Sequence, residues 1–568
     1  MEARTKFISI IHQHPAFSLF VLSIVLFPLA IGTVHLFDWD EVNFAEISRE
    51  MIVTQNYLNV QINFQPFWEK PPLFFWIQSL SMHLFGINEF AARFPNVLVG
   101  VSSILYLYRL GKQFVSKEFG LIWALSFLGS LLPHFYFKSG IIDPLFNLLI
   151  FASLHLFYEY QLQYRKVKLI LASSLAGLAV LTKGPVAILI IVLVVFFYIL
   201  LKRKEFKIKL VDVCLALVIC LLISSIWFLS ELLHGGGVAL IQDFFAYQLR
   251  LFTTSEAGHG QPFFYHFVVL FFGCFPISLV AFPSILNYKQ RLKSLNVFQD
   301  FYSLNFILFW VVLLLFSMTT TKIVHYSSLC YFPLSFMAST IIYRNFKEGL
   351  SLHRLSYFLL VFVGVILSIL FLAFPLITMF KSTIIPFIKD PFAVANILEP
   401  VQWSGYEFLI GLAYFIGLAW VLKWIKKNSY YFIHLFLLNA FTLTVFMIVV
   451  VPKIEQHVQG SLIAFFKAHQ KKTEYVTTFG FKSYAQFYYT QKQPSTNHLA
   501  YQEQWLLYGE IDQPVFIASK LNRKDEVLKL SNTVFLYEKG GFVFAVRNPD
   551  PEKINQTNPK LDPLGQLH

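Results

Sequence analysis

Long apolar runs recur along most of this chain, and they constrain its fold more than any other feature. The residues are 56% hydrophobic and 14% charged, with a mean hydropathy of +0.60, which is typical of polytopic membrane proteins. A helix of about 20 apolar residues crosses the hydrocarbon layer. Runs with this character begin near residues 17, 94, 119, 141, 168, 184, 210, 263, 302, 325, 355, 408 and 431. They predict an all-α polytopic membrane domain with about thirteen transmembrane helices.

Two apolar segments decide the topology. The run from Phe17 to Phe37 is too long for the core of a signal peptide and is predicted to be a membrane span. Leu73 to Phe85 follows two prolines, is short and carries polar side chains, so it is predicted to be an interfacial helix that does not cross.

The positive charge follows this topology. Lys and Arg give a formal net charge of +13, but they occur in short clusters between apolar runs, as the positive-inside rule predicts. Nucleic acid is therefore not expected as a partner. If Leu73–Phe85 does not cross the membrane, the N-terminus and all the basic clusters are predicted to lie on the cytoplasmic side. The clusters are at 109–117, 165–168, 202–209, 289–293, 344–354 and 423–427. The polar segments between them, and everything after Pro452, are predicted to lie on the outer side.

The composition changes after Pro452. Residues 1–452 are predicted to be the membrane domain, 453–548 a small outer-face α/β domain, and 549–568 a disordered, Pro-rich tail. Five segments with β-branched and aromatic residues predict strands, namely EYVTTFGF, AQFYYT, PVFIAS, TVFLYE and GGFVFAVRN, and 500–510 and 522–530 predict helices. The chain has four cysteines, all in apolar runs, so disulfides are not expected to hold the outer domain together.

Residues 38–73 form a charged segment between apolar runs. Asp40 and Glu41 begin a helical pattern that continues through Phe44, Ile47 and Met51. Acidic residues in a first helical turn are favoured by the helix dipole, so a structural role is open beside a catalytic one. As a catalyst, such a carboxylate accepts a proton or stabilises positive charge at a reacting sugar carbon.

Two further acid–base pairs are candidates. Glu69 and Lys70 precede Pro71-Pro72, which fix the backbone at the entrance to an apolar segment. Lys70 could bind a phosphate and Glu69 a cation, or they could form an interfacial surface pair. Asp143 and Lys183 flank apolar runs, where an ionisable residue usually faces a cavity or a partner; Lys183 could also cap its helix.

Two later segments carry basic and aromatic candidates. The loop at 233–262 holds Arg250 and His259, and the Gly-His-Gly setting would allow a ligand to approach closely. Lys322 and Tyr326 lie at the boundary of a predicted span. They are either part of an interfacial belt or further phosphate donors.

The ordered motifs DWDEVNFAEISREM, FWEKPPLFFW, LFGINEFAARFPNVL, LTKGP, GHGQPFFYH and TKIVHY resemble those of the GT-C type lipid-linked glycosyltransferases. Within that class, they are similar to the aminoarabinose transferases that modify lipid A and to the protein O-mannosyltransferases. The resemblance covers about residues 17–340. It implies a fold of about thirteen spans with interfacial helices in the first outer loop and a soluble outer domain.

The resemblance also implies roles for individual residues. Asp40 matches the catalytic acid, with Glu41 beside it, and Asp143 and Lys183 match polar site positions. Carrier-phosphate contacts are implied for Lys70, Arg250 and Tyr326, with Lys322 beside them. Glu69 and His259 match a metal pair, so a divalent cation is expected as a cofactor. The role of His325 stays open.

The function predicted is transfer of a sugar from a polyprenyl-phosphate carrier to a lipid, glycan or protein acceptor. The reaction is placed at the outer, periplasmic face of a bacterial-type inner membrane, among membrane lipids. The chain has no Gly-rich phosphate loop, so no nucleotide is expected. The alternative is a polytopic lipid or solute transporter. A transporter would place its charges near mid-bilayer on symmetry-related broken helices, but the sequence has no repeated halves.

Overall fold

The structure is a computed structural model that describes residues 13–37, 39–202, 209–234, 237–253, 260–286 and 299–550. Its α-helices are α1 Pro15–Leu26, α2 Asp40–Thr54, α3 Leu73–Phe85, α4 Glu89–Phe114, α5 Lys117–Leu128, α6 Leu131–Tyr136, α7 Asp143–Gln163, α8 Lys166–Lys183, α9 Val186–Lys202, α10 Leu210–His234, α11 Gly237–Thr253, α12 Tyr265–Gly273, α13 Ile277–Leu286, α14 Gln299–Met318, α15 Tyr331–Glu348, α16 Arg354–Met379, α17 Lys381–Ile384, α18 Pro391–Leu398, α19 Phe408–Ile425, α20 Phe432–Val449, α21 Val451–Glu455, α22 Ser461–Ala468, α23 Ala485–Thr490, α24 Glu503–Tyr508 and α25 Lys524–Val527. Short 3-10 segments occur at Val324–Cys330, Ile385–Phe387, Ser429–Tyr431, His498–Tyr501 and Leu521–Arg523, and a π-turn at Gln456–Gly460.

Within the described residues, six helical segments are long and apolar enough to cross a membrane. They are Glu89–Phe114, Leu210–Leu233, Asp300–Met318, Arg354–Ile377, Phe408–Ile425 and Ser429–Val449. The pair Tyr265–Gly273 and Ile277–Pro283, bent by 112°, adds a seventh if it forms one span. The chain is thus a multi-pass membrane protein, and the full set of thirteen spans stays a prediction.

The first apolar run is helical over only part of its length. Helix α1 ends at Leu26, whereas the sequence favours a span from Phe17 to Phe37. Pro28 has no N–H to continue the helical hydrogen bonds, and Ala30 has a left-handed φ of 69°. The chain therefore leaves the helix early and turns toward α2.

Among the described residues, six strands form two sheets. In segment 38–73, β1 Gln61–Ile62 and β2 Gln65–Pro66 make a hairpin whose two turn residues, Asn63 and Phe64, both have positive φ. Near the C-terminus, β3 Tyr475–Phe479, β4 Val515–Lys520, β5 Thr533–Lys539 and β6 Phe542–Arg547 form a sheet of order β3-β4-β6-β5. Strands β3 and β4 are parallel, and the other pairs are antiparallel.

This C-terminal region confirms four of the five predicted strands and both predicted helices. The exception is AQFYYT, which forms helix α23 instead of a strand. Its residues Ala485, Tyr488 and Tyr489 are buried together against segment 38–73, a three-to-four-residue spacing that suits one face of a helix. The predicted tail at 549–568 lies outside the described residues beyond Asp550.

The sheet region and segment 38–73 share one apolar core. Phe44, Ile47 and Met51 of α2 belong to the same buried cluster as Tyr488 and Phe544, separately from the larger core among the membrane helices. The hairpin of β1 and β2 is also bonded to the C-terminal region, because Lys492 donates a 2.6 Å hydrogen bond to the side chain of Asn63. Helix α2 is thus fixed between the membrane helices and the C-terminal sheet, with its first residue at their junction.

Candidate active site

Asp40 is the first residue of α2, at the end where the helix dipole favours a carboxylate. Its side chain keeps about a quarter of its surface exposed, at 26%, and its Oδ2 lies 3.1 Å from Nε2 of His325. His325 belongs to the 3-10 segment Val324–Cys330. The site therefore joins segment 38–73 to the 3-10 segment Val324–Cys330, which is far away in the chain.

His325 also approaches a second carboxylate. Its Nε2 is 3.7 Å from Oδ2 of Asp143, and Oδ1 of Asp143 accepts a 2.5 Å hydrogen bond from Lys183. Asp143 begins α7 and Lys183 ends α8, so each charge suits the dipole of its own helix end. Gly184, with φ of +100°, turns the chain sharply after Lys183.

Lys70 and Tyr247 form another side of the site. The Lys70 ammonium is 4.5 Å from the centre of the Tyr247 ring and 3.4 Å from its hydroxyl oxygen. Tyr247 lies on α11, and Gln248 beside it donates a hydrogen bond to the carbonyl of Glu69. Helix α11 thus holds the Glu-Lys-Pro-Pro turn in place.

These groups surround a cavity of about 240 Å³. The cavity mixes acids, bases and aromatic rings, as expected of a site that binds a charged and hydroxylated substrate. Its lining residues are Trp39, Asp40, Asn43, Phe44, Phe67, Glu69, Lys70, Ile142, Asp143, Lys183, Tyr247, Thr321, Ile323, His325, Tyr326, Lys482 and Tyr484.

The environment shifts the ionisation of three lining groups. Burial of Asp40 works against its charged form, yet the hydrogen bond with His325 and the nearby positive charges hold the pKa of its carboxyl below the ordinary value. Burial lowers the pKa of Lys70, although the charge of Glu69 opposes this effect. Burial and the Glu69 charge raise the pKa of Tyr247, which keeps its hydroxyl a hydrogen-bond donor.

Of the residues selected from the sequence, six line the cavity: Asp40, Glu69, Lys70, Asp143, Lys183 and Tyr326. His259 lies outside the described residues.

Three other candidates have different surroundings. Glu41 makes two 2.7 Å hydrogen bonds with Arg93 and accepts another from the Gly140 amide. Lys322 is buried and donates to the carbonyls of Thr319 and Gln261. Arg250 is exposed, with its guanidinium 5.8 Å from the Tyr247 ring centre. None of the three lines the cavity.

The cavity also contains His325, whose role the sequence left open, and residues that the sequence analysis did not name. His325 occurs in the TKIVHY motif, but its partners Asp40 and Asp143 are far away in the chain. Lys482 and Tyr484 come from the C-terminal region, where no motif indicates a site. Only the packing of that region onto α2 brings them to the cavity.

A metal site needs several converging ligands. Among the residues that the structure describes, no group of three or more His, Cys, Asp or Glu side chains is arranged to hold a metal ion. Glu69 lines the cavity, but a single carboxylate does not make a site. The described residues therefore do not fit a metal by themselves.

The sequence matches known proteins over part of its length. Residues 69–228 match a family described as dolichyl-phosphate-mannose-protein mannosyltransferase. An undecaprenyl phosphate-alpha-4-amino-4-deoxy-L-arabinose arabinosyl transferase from Erwinia tasmaniensis is 31% identical over 334 residues, which are 56% of this chain and 58% of that protein. The enzyme of the same name from Photorhabdus laumondii is 25% identical over 375 residues, 64% of this chain and 66% of that protein. The matches thus span less than two thirds of either relative.

The fold likeness covers nearly the whole chain. The crystal structure of ArnT from Cupriavidus metallidurans bound to undecaprenyl phosphate superimposes with a TM-score of 0.70, over 94% of this chain and 98% of that one, at 16% identity. Identity at this level shows a shared fold. Part of this chain is thus similar to lipid-linked glycosyltransferases, the aminoarabinose transferases among them, and the whole chain shares the fold of ArnT.

Proposed function

We propose that this protein is a glycosyltransferase that moves a sugar from a polyprenyl-phosphate carrier to an acceptor, at the outer face of a bacterial-type inner membrane. One observation carries the proposal: Asp40, Lys70, Asp143 and Lys183, from separate segments, surround a single cavity. The relatives are named undecaprenyl phosphate-alpha-4-amino-4-deoxy-L-arabinose arabinosyl transferases, which supports the same donor class. The basic clusters on the opposite side support the outer location.

In this reaction the acceptor oxygen attacks the anomeric carbon, and the bond from that carbon to the carrier phosphate breaks. The electron pair of the broken bond stays on the phosphate oxygen. A positioned ammonium and a hydroxyl donor stabilise such a developing anion better than water does. Lys70 and Tyr247, held side by side, are placed to do this. A single displacement of this kind inverts the configuration of the sugar carbon.

Asp40 is the proposed catalytic carboxylate. Its lowered pKa keeps it ionised, so it can accept the proton of an acceptor hydroxyl or orient an acceptor that is already an anion. His325 touches Asp40 and approaches Asp143, while the Lys183 ion pair with Asp143 fixes that second carboxylate. The Lys183–Asp143 pair and His325 therefore position Asp40 for the reaction.

A metal stays part of the proposal only as an expectation from the resemblance. Glu69 is at the cavity, and His259 would have to complete the ligand set from outside the described residues. No step above depends on a metal or a nucleotide.

The test is a transfer assay with the purified full-length protein. A panel of polyprenyl-phosphate sugars is supplied with acceptor glycolipid, and release of free polyprenyl phosphate is followed. Wild-type protein should turn over at least one donor, and Asp40→Asn should lower kcat by about 10²- to 10⁴-fold, the range for loss of a general base.

The matched control is Asp525→Asn. Asp525 also lies in a first helical turn, in α25, but is exposed and does not line the cavity. Near-normal turnover in Asp40→Asn, or an equal loss in both variants, would exclude Asp40 as the catalytic group. No release from any donor by wild-type protein would refute the transferase proposal.

A further inference from the structure

The C-terminal sheet region contributes a cation to the cavity. Lys482 follows β3 in the chain and is exposed, and its ammonium lies 5.2 Å from the ring centre of Trp39 and 5.4 Å from that of Tyr484. The two rings meet edge to face at 5.2 Å. All three residues line the cavity. Trp39 directly precedes Asp40, and Lys482 and the proposed catalytic carboxylate line the same cavity.

The basic groups of the cavity differ in their partners. Lys183 is paired with Asp143, and His325 contacts Asp40. In the part of the chain that the structure describes, Lys482 has aromatic neighbours and makes no direct ion pair with a carboxylate, although its charge acts on Glu503. Aromatic faces hold an ammonium by attraction to the ring quadrupole and leave its N–H donors available. Lys482 can thus bind an incoming anion without first breaking an ion pair.

The position of Lys482 separates it from the carrier site. Lys70 is buried, lies in segment 38–73 and is held by Tyr247 of α11. Lys482 is exposed, is carried by the sheet region and lies against Trp39. A transfer reaction brings two substrates to one cavity, the donor with its leaving phosphate and the acceptor. The two lysines reach the cavity from different elements and can therefore hold anions on two different substrates.

We infer that Lys482, steadied by Trp39 and Tyr484, binds an anionic group of the acceptor, such as a phosphate on a glycolipid, and so sets acceptor specificity. This inference rests on the proposed function for its meaning, because it assigns the acceptor side of the same cavity. It makes Lys482 a binding residue of the outer domain, with no part in the proton transfer at Asp40.

A protection experiment tests this binding without turnover. Lysines of the purified full-length protein are acetylated with an amine-reactive ester, and the extent at each site is measured by mass spectrometry. The probes are diphosphoryl lipid A, its dephosphorylated form and undecaprenyl phosphate. We expect diphosphoryl lipid A alone to slow the labelling of Lys482.

Lys520 is the internal control. It is also a lysine of the sheet region over two aromatic rings, 5.2 Å from Phe392 and 5.7 Å from Phe481, but it does not line the cavity. Its labelling should be the same with every probe. Protection of Lys482 by undecaprenyl phosphate would assign Lys482 to the donor. Protection by none of the probes, or equal protection by the dephosphorylated lipid, would show that Lys482 does not bind an anionic group of the acceptor. Each of these results overturns the inference.

Kinetics provide the second readout. Lys482→Gln should raise KM for diphosphoryl lipid A about tenfold, as expected for loss of one charge-assisted hydrogen bond, with KM for the donor unchanged. Lys482→Arg should restore most of the affinity, and Lys520→Gln should resemble wild type. An unchanged acceptor KM in Lys482→Gln would contradict the inference.

The outcomes also separate this inference from the proposed function. Protection of Lys482 in a protein that transfers no sugar would refute the transferase proposal alone. Transfer that depends on Asp40, with Lys482 unprotected, would refute the Lys482 inference alone.

Discussion

At the scale of single residues, Asp40 and Glu41 show how neighbouring acids acquire different roles. Successive residues of a helix point about 100° apart, so the two carboxylates leave α2 in different directions. Asp40 faces the cavity and His325, whereas Glu41 meets Arg93 in a buried ion pair. The geometry assigns a chemical role to the first and a structural role to the second.

The contact between Asp40 and His325 predicts a pH effect on activity. The pKa of Asp40 is lowered from its ordinary 3.8, so activity that needs the carboxylate is present above this lowered pKa and is lost as the pH falls through it. In His325→Gln the main interaction that opposes the effect of burial on Asp40 is lost. The pKa of Asp40 should therefore rise, and the acid limb of kcat/KM should move to higher pH. A pH–rate profile of both proteins measures the change.

His498→Gln provides the control for that profile, because His498 is exposed in the C-terminal region and does not line the cavity. Its acid limb should coincide with that of wild type. An acid limb in His325→Gln at the wild-type position would show that the His325 contact does not control the ionisation of Asp40.

At the scale of elements, a buried ion pair ties the start of α2 to α4. Arg93 donates to both oxygens of Glu41 and to the carbonyls of Ile31, Val34 and His35. This one guanidinium therefore closes the turn between α1 and α2. The ion pair fixes where α2 begins, and hence where Asp40 lies.

Removing one member of this pair should be costly. Glu41→Gln leaves the Arg93 charge buried and uncompensated, and the free energy of unfolding should fall by about 3–5 kcal/mol. The double variant Glu41→Gln/Arg93→Met should lose less than the sum of the single changes. Thermal unfolding in detergent measures these differences.

Lys467→Gln is the comparison variant, because Lys467 makes a 3.6 Å ion pair with Glu89 in which its own side chain is 45% exposed. An exposed pair of this kind contributes at most about 1 kcal/mol. Equal losses of stability in Glu41→Gln and Lys467→Gln would contradict a special role for the buried pair.

At the scale of the whole molecule, the C-terminal region is part of the site's framework. The C-terminal region shares one apolar core with segment 38–73. It also contributes Lys482 and Tyr484 to the lining of the cavity. Loss of packing in this region should therefore disturb α2, although the packing residues do not touch the cavity.

Phe544→Ala tests this continuity. Phe544 is fully buried in the shared core and stacks on Phe465 at 4.4 Å. Its truncation should cost about 3–5 kcal/mol of folding free energy, and transfer activity should fall with the melting temperature. Phe535→Ala, on the neighbouring strand β5, removes a ring that is 41% exposed and should change both far less. Full activity in a clearly destabilised Phe544→Ala protein would show that the C-terminal region folds independently of the site.

The sequence alone determined the class of fold and several members of the site. Apolar runs must form helices in a membrane, because unpaired backbone groups are too costly there. Charged residues beside such runs, such as Lys70 and Asp143, must face water or a partner. The helix from Asp40 and four of the C-terminal strands follow from local patterns and are confirmed.

Only the tertiary structure decided which of these charged residues meet. His325 reaches Asp40 and Asp143, and Lys482 reaches Trp39, through packing between segments hundreds of residues apart. The segment AQFYYT is a helix because one face of that helix is buried against segment 38–73. A local pattern records which side of an element is apolar, but the partner of that side depends on how the whole chain packs.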